Sequence, residues 1–230
     1  MPTFGSLFSG IGGMDLGLER AGWECRWQVE SDEWKQRVLE KSWPGLPRYG
    51  DIRTVQPEAL EKVEGIAGGF PCRDISVLGR RAGLSGQHSG LWTEFARVVR
   101  AVRPRFVLVE NVPSLLVRGM GDVLRDLAAV GYDAEWEVLP AAAFGASHLR
   151  ARLFILAYPR GFGDRLPENR VFTGRSCPLN GSGWAPEPRM GRVANGIPDQ
   201  AHRLGGLGDS VCPPVAEWIG RRLLAGLGGG

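Results

Sequence analysis

The chain has 230 residues, of which 43% are hydrophobic and 23% are charged, and this composition excludes a generally disordered chain because it supplies enough apolar side chains for a core. The 34 glycines follow no three-residue period, which excludes a collagen-like helix. The formal net charge of +3 at pH 7 is small and identifies no class of partner by itself.

Apolar runs, cysteines and histidines exclude further classes of protein. No apolar run reaches the roughly 18 residues of a membrane span, and the N-terminal segment lacks the basic region of a signal peptide. We therefore expect a cytoplasmic protein with no membrane partner.

The four cysteines, Cys25, Cys72, Cys177 and Cys212, form no CxxC pair, so we expect reduced thiols. No histidine has zinc-ligand spacing with a cysteine, and we predict no metal site.

Strand-like and helix-like segments alternate along the first 158 residues. The predicted strands are 3–8, 25–30, 64–68, 105–110 and 152–158, with a further extended segment at 132–139. The predicted helices are 14–22, 33–43, 90–103 and 121–130. The run RFVLVE at 105–110 is apolar up to its final acid, which is typical of a buried parallel strand. This alternation predicts an open α/β sheet.

Residues 159–204 differ from the segments before them. They are rich in proline and glycine and show no periodicity, so we expect an irregular segment. Residues 213–226, PPVAEWIGRRLLAG, then predict a helix with a proline-rich entry.

A glycine turn follows the first predicted strand. Residues Phe8 to Gly13 read FSGIGG, and such a turn lets a ligand approach the backbone at a helix N-terminus. Glu30 ends the second predicted strand, where a carboxylate can bind ribose hydroxyls. This pair favours an adenosine-bearing cofactor, and the alternative is a tight strand-to-helix connection without a ligand. The spacing departs from GxGxxG, which disfavours a dinucleotide.

Three further groups of polar residues stand at the predicted strand ends. Cys72 follows the strand at 64–68 and is either a thiolate nucleophile or an inert buried cysteine. Glu110 ends the most apolar strand, where a carboxyl of raised pKa can act as an acid; Asn111 alternatively caps a helix. Arg150 and Arg152 share one side of an extended segment and either bind phosphate or a base carbonyl, or form a solvated edge.

The order of these motifs carries more information than any one of them. FSGIGG, GGFPC, ENV, RxR and GDSVCPPVA follow one another in a way that resembles the DNA (cytosine-5) methyltransferase family, in particular its compact phage-type members. The resemblance implies a Rossmann-like, S-adenosylmethionine-dependent methyltransferase fold with a small irregular target-recognition region. It divides the chain into a catalytic cofactor-binding domain (1–158), a reduced target-recognition region (159–204) and a C-terminal segment that returns to the catalytic domain (205–230).

The resemblance also implies a mechanism. Cys72 matches the family's nucleophile, which attacks C6 of a flipped-out cytosine, and Glu110 matches the carboxyl that binds the ring near N3 and N4. Arg152 matches the arginine at the cytosine O2, with Arg150 as its companion, and Asn111 completes the catalytic set.

The cofactor implied is S-adenosyl-L-methionine, and the product is S-adenosyl-L-homocysteine. The residues that match cofactor contacts are Phe8, Gly10, Ile11, Gly13, Glu30, Ser31, Asp51, Ile52, Pro71, Leu91, Ser210 and Val211. Ser31 stands where the family often has an aromatic residue, and Asp209 stands where it has an asparagine, so cofactor affinity is the property that these departures affect.

The partner implied is double-stranded DNA, bound by a monomer in the cytoplasm of a bacterial or phage-infected cell. The segment 73–90 resembles the family's mobile loop that closes on DNA. The expected DNA contacts are Arg73, Ser76, Arg80 and Arg81 in that loop, and Arg165, Arg170 and Arg175 in the target-recognition region. So short a recognition segment predicts a short or relaxed target site.

Three other functions were weighed against this one. An RNA cytosine-5 methyltransferase uses the same chemistry, and composition does not separate it from a DNA enzyme. A non-catalytic, methyltransferase-like DNA-binding protein is disfavoured because Cys72, Glu110 and Arg152 are all present. A nicotinamide oxidoreductase is disfavoured by the glycine spacing and leaves the cysteine and carboxyl unexplained.

Overall fold

A seven-stranded sheet forms the centre of the protein. The computed structural model describes residues 1–71, 90–162, 171–172 and 200–227. The strands are β1 (Thr3–Leu7), β2 (Glu24–Val29), β3 (Arg48–Tyr49), β4 (Gly65–Gly68), β5 (Phe106–Asn111), β6 (Tyr132–Pro140) and β7 (Ala151–Pro159). Their order across the sheet is β3-β2-β1-β4-β5-β7-β6. β7 runs antiparallel to β5 and β6, and the other neighbours are parallel.

Helices cover both faces of this sheet. They are α1 (Gly13–Arg20), α2 (Glu33–Ser42), α3 (Gly90–Val102), α4 (Leu115–Arg118), α5 (Met120–Ala129), α6 (Gln200–Asp209) and α7 (Pro213–Leu227). The predicted α/β fold class is therefore confirmed, with the strand order expected when parallel strands are joined by helical crossovers.

Strand β5, which has neighbours on both sides, explains why two cores form. All six of its residues are buried, and its side chains alternate between the two faces. Val107 and Val109 join an apolar cluster with residues of α3 and α5. Phe106 and Leu108 join a second cluster with residues of α1 and α7. A strand covered on both faces needs a continuous apolar run, which residues 106–109 of β5, FVLV, supply.

Three elements have no counterpart in the sequence prediction. Strand β3 has only two residues and lies beside prolines Pro44 and Pro47, so it has no periodic signal. Helix α4 is one turn long. Helix α6 begins at Gln200, inside the segment 159–204 that was expected to be irregular, so that expectation is wrong at its C-terminal end.

Glycines explain why α6 escapes prediction. Its sequence contains Gly205, Gly206 and Gly208, and each glycine costs a helix about 1 kcal/mol relative to alanine. At Gly206 a Cβ atom would lie 3.0 Å from Ile11 and 3.1 Å from the Trp34 ring. Close packing against residues distant in the sequence therefore holds this helix, and that packing leaves no local pattern.

Candidate active site

A cavity of about 530 Å³ lies where β1, β2, β4 and β5 end. The order of the sheet reverses between β1 and β4, and ligands of open α/β sheets bind at the carboxyl ends of the strands around such a point. The expected cofactor residues that line the cavity are Phe8, Gly10, Gly13, Glu30, Ser31, Asp51, Ile52, Pro71, Leu91, Ser210 and Val211. Of the expected set, Ile11 does not line it.

The turn after β1 is shaped by left-handed backbone conformations. Phe8 has a φ of 54°, unusual for a residue with a side chain, and its ring stacks on Phe95 at 6.4 Å between centroids. Gly12 has a φ of 84°, and a Cβ atom there would lie 2.4 Å from the Trp43 ring. At Gly13 a Cβ would lie 2.2 Å from the Ser210 Oγ, so α1 starts directly against residues 210–211. The FSGIGG motif thus brings backbone to the cavity wall.

Glu30 joins the turn to the end of β2. Its Oε2 accepts a hydrogen bond from the Gly10 N–H at 2.7 Å, and its Oε1 accepts one from the Asp32 N–H at 2.9 Å. Glu30 is 8% exposed and lines the cavity, so this acidic side chain lies at the cavity wall directly beside the glycine turn.

Asp51 supplies a second acid to the cavity. The hydrogen bonds from the Arg53 side chain and backbone hold the pKa of Asp51 below its usual value. Asp51 is therefore an acceptor-only group, and the buried side chain of Ile52 stands next to it.

The pairing of β5 with β7 brings Glu110 and Arg152 together. Glu110 lies opposite Phe154, and Arg152 is two residues before Phe154 on the same face of the sheet. The Arg152 Nε lies 3.0 Å from the Glu110 Oε1. Both residues line the cavity.

Glu110 has an unusual protonation equilibrium. Burial raises the pKa of its carboxyl to about 7, and the charges of Arg152 and Arg150 act in the opposite direction. A group of this pKa exchanges a proton near neutral pH, which suits a general acid. At Gly69 a Cβ atom would lie 2.6 Å from the Glu110 Oε2, so the residue before Phe70 must be small for the carboxyl to keep its position.

Asn111 connects β5 to the chain that leads to Cys72. Its Nδ2 donates to the Phe70 carbonyl oxygen at 2.9 Å, and its Oδ1 accepts from the Val112 N–H at 2.9 Å. The side chain is buried, and its contacts are with main-chain atoms. Asn111 therefore fixes the strand end that carries Pro71, and Cys72 follows Pro71 directly in the sequence.

Arg150 lies at the rim of the site. It does not line the cavity, and its Nη2 donates to the carbonyl oxygens of Gly208, at 2.8 Å, and of Ser210. Its backbone has a φ of 30°. The structure thus separates the two arginines of RAR: Arg152 contacts Glu110, and Arg150 contacts the C-terminal end of α6 and the residue that follows it.

Several expected site residues lie outside the described part of the chain. They are the expected nucleophile Cys72 and the expected DNA contacts Arg73, Ser76, Arg80, Arg81, Arg165, Arg170 and Arg175.

Other cavity residues had no signal in the sequence. Asp15 is fully buried; it accepts hydrogen bonds from the Ser6 Oγ at 2.6 Å and the Gln28 Nε2 at 2.7 Å, and burial raises its pKa to about 6. Lys35 pairs with Asp209 at 3.0 Å. These two residues are 174 positions apart, so no local pattern indicates their contact.

The described residues offer neither a metal-binding group nor a helix that could cross a membrane. In residues 1–71, 90–162, 171–172 and 200–227, His, Cys, Asp and Glu side chains form no group of three or more placed to hold a metal ion. Every helix in these ranges falls short of the length and apolarity that a membrane crossing needs.

Comparisons with known proteins agree with this geometry. The model of the C-5 cytosine-specific DNA methylase family matches residues 2–175. The Type II methyltransferase M.NgoFVII of Neisseria gonorrhoeae is 32% identical over 209 residues, which are 87% of this chain and 54% of that protein. The chain spans about half the length of the curated relatives it matches.

Solved structures share the fold. A DNA modification methyltransferase encoded within an E. coli prophage is 25% identical, with a TM-score of 0.59 over 71% of this chain and 48% of that one. The Entamoeba histolytica methyltransferase EhMeth is 12% identical, with a TM-score of 0.70 over 99% of each chain, which is a likeness of fold. The family match covers most of the chain, including the glycine turn, Glu110 and Arg152; the chain therefore belongs to the C-5 cytosine-specific DNA methylase family.

Proposed function

We propose that this chain transfers a methyl group from S-adenosyl-L-methionine to C5 of a flipped-out cytosine in duplex DNA, through a covalent adduct with Cys72. The observation that carries the proposal is the pair of Glu110 and Arg152, 3.0 Å apart, in the same cavity as the glycine turn and the acids Glu30, after β2, and Asp51, after β3. One edge of the sheet thus offers a place for a nucleoside cofactor beside a place for a base.

The cavity fits the proposed cofactor. Its volume of about 530 Å³ lies within the range of roughly 300–1,000 Å³ that small-molecule sites occupy. Glu30 and Asp51 offer acceptors for the hydroxyl and amino groups of an adenosine, and Phe8, Ile52 and Leu91 offer apolar contacts. When bound, S-adenosyl-L-methionine supplies an electrophilic methyl group.

The base-side residues have complementary roles in the proposed reaction. The Cys72 thiolate adds to C6 of the cytosine ring, and negative charge develops toward N3. A protonated Glu110 donates its proton to N3, because a carboxyl whose pKa is about 7 is available as an acid near neutral pH. Arg152 holds the Glu110 carboxyl through its Nε and donates from its Nη1 to the Ala151 carbonyl oxygen at 2.9 Å, so we assign its Nη2 to the base. C5 then becomes nucleophilic and accepts the methyl group.

The closing steps restore the aromatic ring. The C5 proton leaves to a water molecule, the N3 proton returns to the Glu110 carboxylate, and the bond between C6 and the Cys72 sulfur breaks with release of the thiolate. Because C5 and C6 are stacked inside a duplex, the cytosine must leave the helix for this chemistry. Phe70 and Pro71 lead to the nucleophile, and the hydrogen bond from Asn111 to the Phe70 carbonyl fixes their approach.

A product assay tests the proposal. The chain is incubated with S-adenosyl-L-methionine and either duplex DNA or tRNA, and the nucleosides are analysed by mass spectrometry. We expect 5-methyl-2′-deoxycytidine from DNA, and none from the Cys72→Ala variant. Product in tRNA alone would assign the chain to RNA instead, and no product with either substrate would contradict catalysis.

A further inference from the structure

The cavity wall formed by residues 208–211 belongs to neither the sheet nor a helix interior. The wall consists of the last two residues of α6, Gly208 and Asp209, and the first two residues after it, Ser210 and Val211, and all four line the cavity. On its inner side Ser210 and Val211 contact the start of α1, as the 2.2 Å approach to a Cβ at Gly13 shows. The last carbonyl groups of α6 and those just beyond it have no partner within the helix, so they need hydrogen-bond donors from elsewhere in the chain.

Arg150 is the side chain that holds the wall. Its guanidinium Nη2 donates to the carbonyls of Gly208 and Ser210, which are the first and third residues of the wall. A single planar cation bound to two carbonyls fixes the direction of the peptide units between them. The Lys35–Asp209 ion pair is a second tie, but the Asp209 side chain is 69% exposed, so solvent weakens this contact.

The same arginine stands close to the base side of the cavity. Arg150 is two residues before Arg152, whose Nε contacts Glu110. Residues 150–152, at the start of β7, therefore connect the cavity wall at 208–211 with Glu110, the acid that we place beside the base.

We infer that Arg150 is a positioning residue for the cofactor site, which sets cofactor affinity by holding the wall 208–211 in place. The inference rests on the proposed function, since it takes the cavity to bind S-adenosyl-L-methionine and its product. Loss of Arg150 frees the carbonyls of Gly208 and Ser210 to turn toward water, so that the wall moves away from the cavity.

Binding of S-adenosyl-L-homocysteine to the full chain tests this inference without turnover. Isothermal titration calorimetry on the Arg150→Ala variant should give an affinity weaker by about tenfold or more, because charged hydrogen bonds no longer hold the wall. Arg150→Lys should recover part of the affinity, since an ammonium can reach only one carbonyl well. In steady-state assays the KM for S-adenosyl-L-methionine should rise more than kcat falls.

Arg103→Ala is the matched control. Arg103 also has a left-handed backbone, with a φ of 56°, and also donates to a main-chain carbonyl, that of Val130. It lies just before the N-terminal end of β5, whereas the cavity lies at the carboxyl ends of the strands. Its replacement should leave the affinity for S-adenosyl-L-homocysteine unchanged, so a loss in both variants would indicate a general loss of structure and would overturn the inference.

Hydrogen exchange locates the effect. Amides of residues 208–211 should exchange faster in Arg150→Ala than in the unsubstituted chain, while those of β7 should not. Equal affinity and equal exchange in Arg150→Ala and the unsubstituted chain would overturn the inference and leave the proposed function intact. Failure of the unsubstituted chain to bind S-adenosyl-L-homocysteine would instead overturn the proposed function, and the inference with it.

Discussion

At the scale of single residues, Glu110 carries the chemistry that we propose. A carboxyl at the end of an apolar strand is costly to bury as an anion, and the protein meets this cost with one guanidinium contact and a raised pKa. The sequence showed the acid at the strand end, and the resemblance to a family assigned Glu110 and Arg152 to the same base, but neither indicated the contact between these two side chains. The contact with Arg152 depends on how β5 and β7 pair, which neither segment specifies alone.

The pKa of Glu110 predicts how the methyl-transfer rate changes with pH. Because the proposed role needs the protonated carboxyl, the single-turnover rate on DNA should fall as pH rises through about 7. Glu110→Gln should lower the rate by roughly 10²–10⁴-fold, the usual contribution of a general acid, and abolish this fall. A fall that persists in Glu110→Gln would contradict the assignment.

Protein stability gives an independent measure of the same pKa. A carboxyl whose pKa is about 7 in the folded protein and 4.5 unfolded stabilises the fold below pH 4.5, and this stabilisation is lost as pH rises through 7. The free energy of unfolding that Glu110 contributes in this way, and that is lost, is about 3 kcal/mol. Urea unfolding between pH 4.5 and 8 should therefore show a steeper decline for the unsubstituted chain than for Glu110→Gln. Parallel curves would show that the carboxyl titrates normally.

At the scale of secondary structure, periodic elements could be predicted and packed irregular ones could not. Most of the elements follow the predicted segments with small shifts at their ends: strands β1, β2, β4, β5 and β7 and helices α1, α2, α3, α5 and α7. They could be predicted because their apolar residues recur at the spacing of a helix or form the short apolar runs of a strand. Helix α6 and the two-residue strand β3 depend on distant contacts, such as those of Gly206 with Ile11 and Trp34. The wall at 208–211 depends on Arg150 in the same way.

The contact between α1 and α7 predicts a specific loss of stability. At Gly17 a Cβ atom would lie 2.4 Å from the Pro213 carbonyl oxygen and 2.6 Å from the Ala216 Cβ. Gly17→Ala should therefore lower the free energy of unfolding by about 1–3 kcal/mol, although alanine is the better helix former. Chemical denaturation measures this change.

Gly121 offers the matched control. It lies in α5, where a Cβ atom would meet nothing within 4 Å. Gly121→Ala should stabilise the protein by about 0.5–1 kcal/mol, from helix propensity alone. If the two substitutions had the same effect, the tight contact at Gly17 would be refuted.

At the scale of the whole molecule, one sheet edge serves two purposes. The turn after β1 and the acid after β2 form one side of the cavity, and the ends of β4, β5 and the start of β7 form the other. The order of motifs along the sequence predicts this arrangement, since the carboxyl ends of parallel strands meet at one edge. Ser210 and Val211 were expected at the cavity, but the contacts of Arg150 with the wall at 208–211 could not be predicted, because they join segments far apart in the chain.

The short connection between β7 and α6 predicts limited sequence discrimination. Between Pro159 and Gln200 lies the segment in which we expect most target recognition, with Arg165, Arg170 and Arg175 as expected contacts. Each base pair read contributes roughly 1–3 kcal/mol, and a small contact area allows few such contacts. Bisulfite sequencing of methylated plasmid should therefore show a short or relaxed site, and a strict site of about six base pairs or more would refute this expectation.

A covalent trap tests the central claim most directly. The chain is incubated with S-adenosyl-L-methionine and duplex DNA that contains 5-fluorocytosine, whose C5 fluorine cannot leave as a proton does, and the mixture is resolved under denaturing conditions. We predict a stable protein–DNA adduct that is absent from Cys72→Ala and retained in Cys25→Ala, because Cys25 is a buried thiol whose pKa is raised by burial. No adduct, or an adduct that survives Cys72→Ala, would contradict the proposed mechanism.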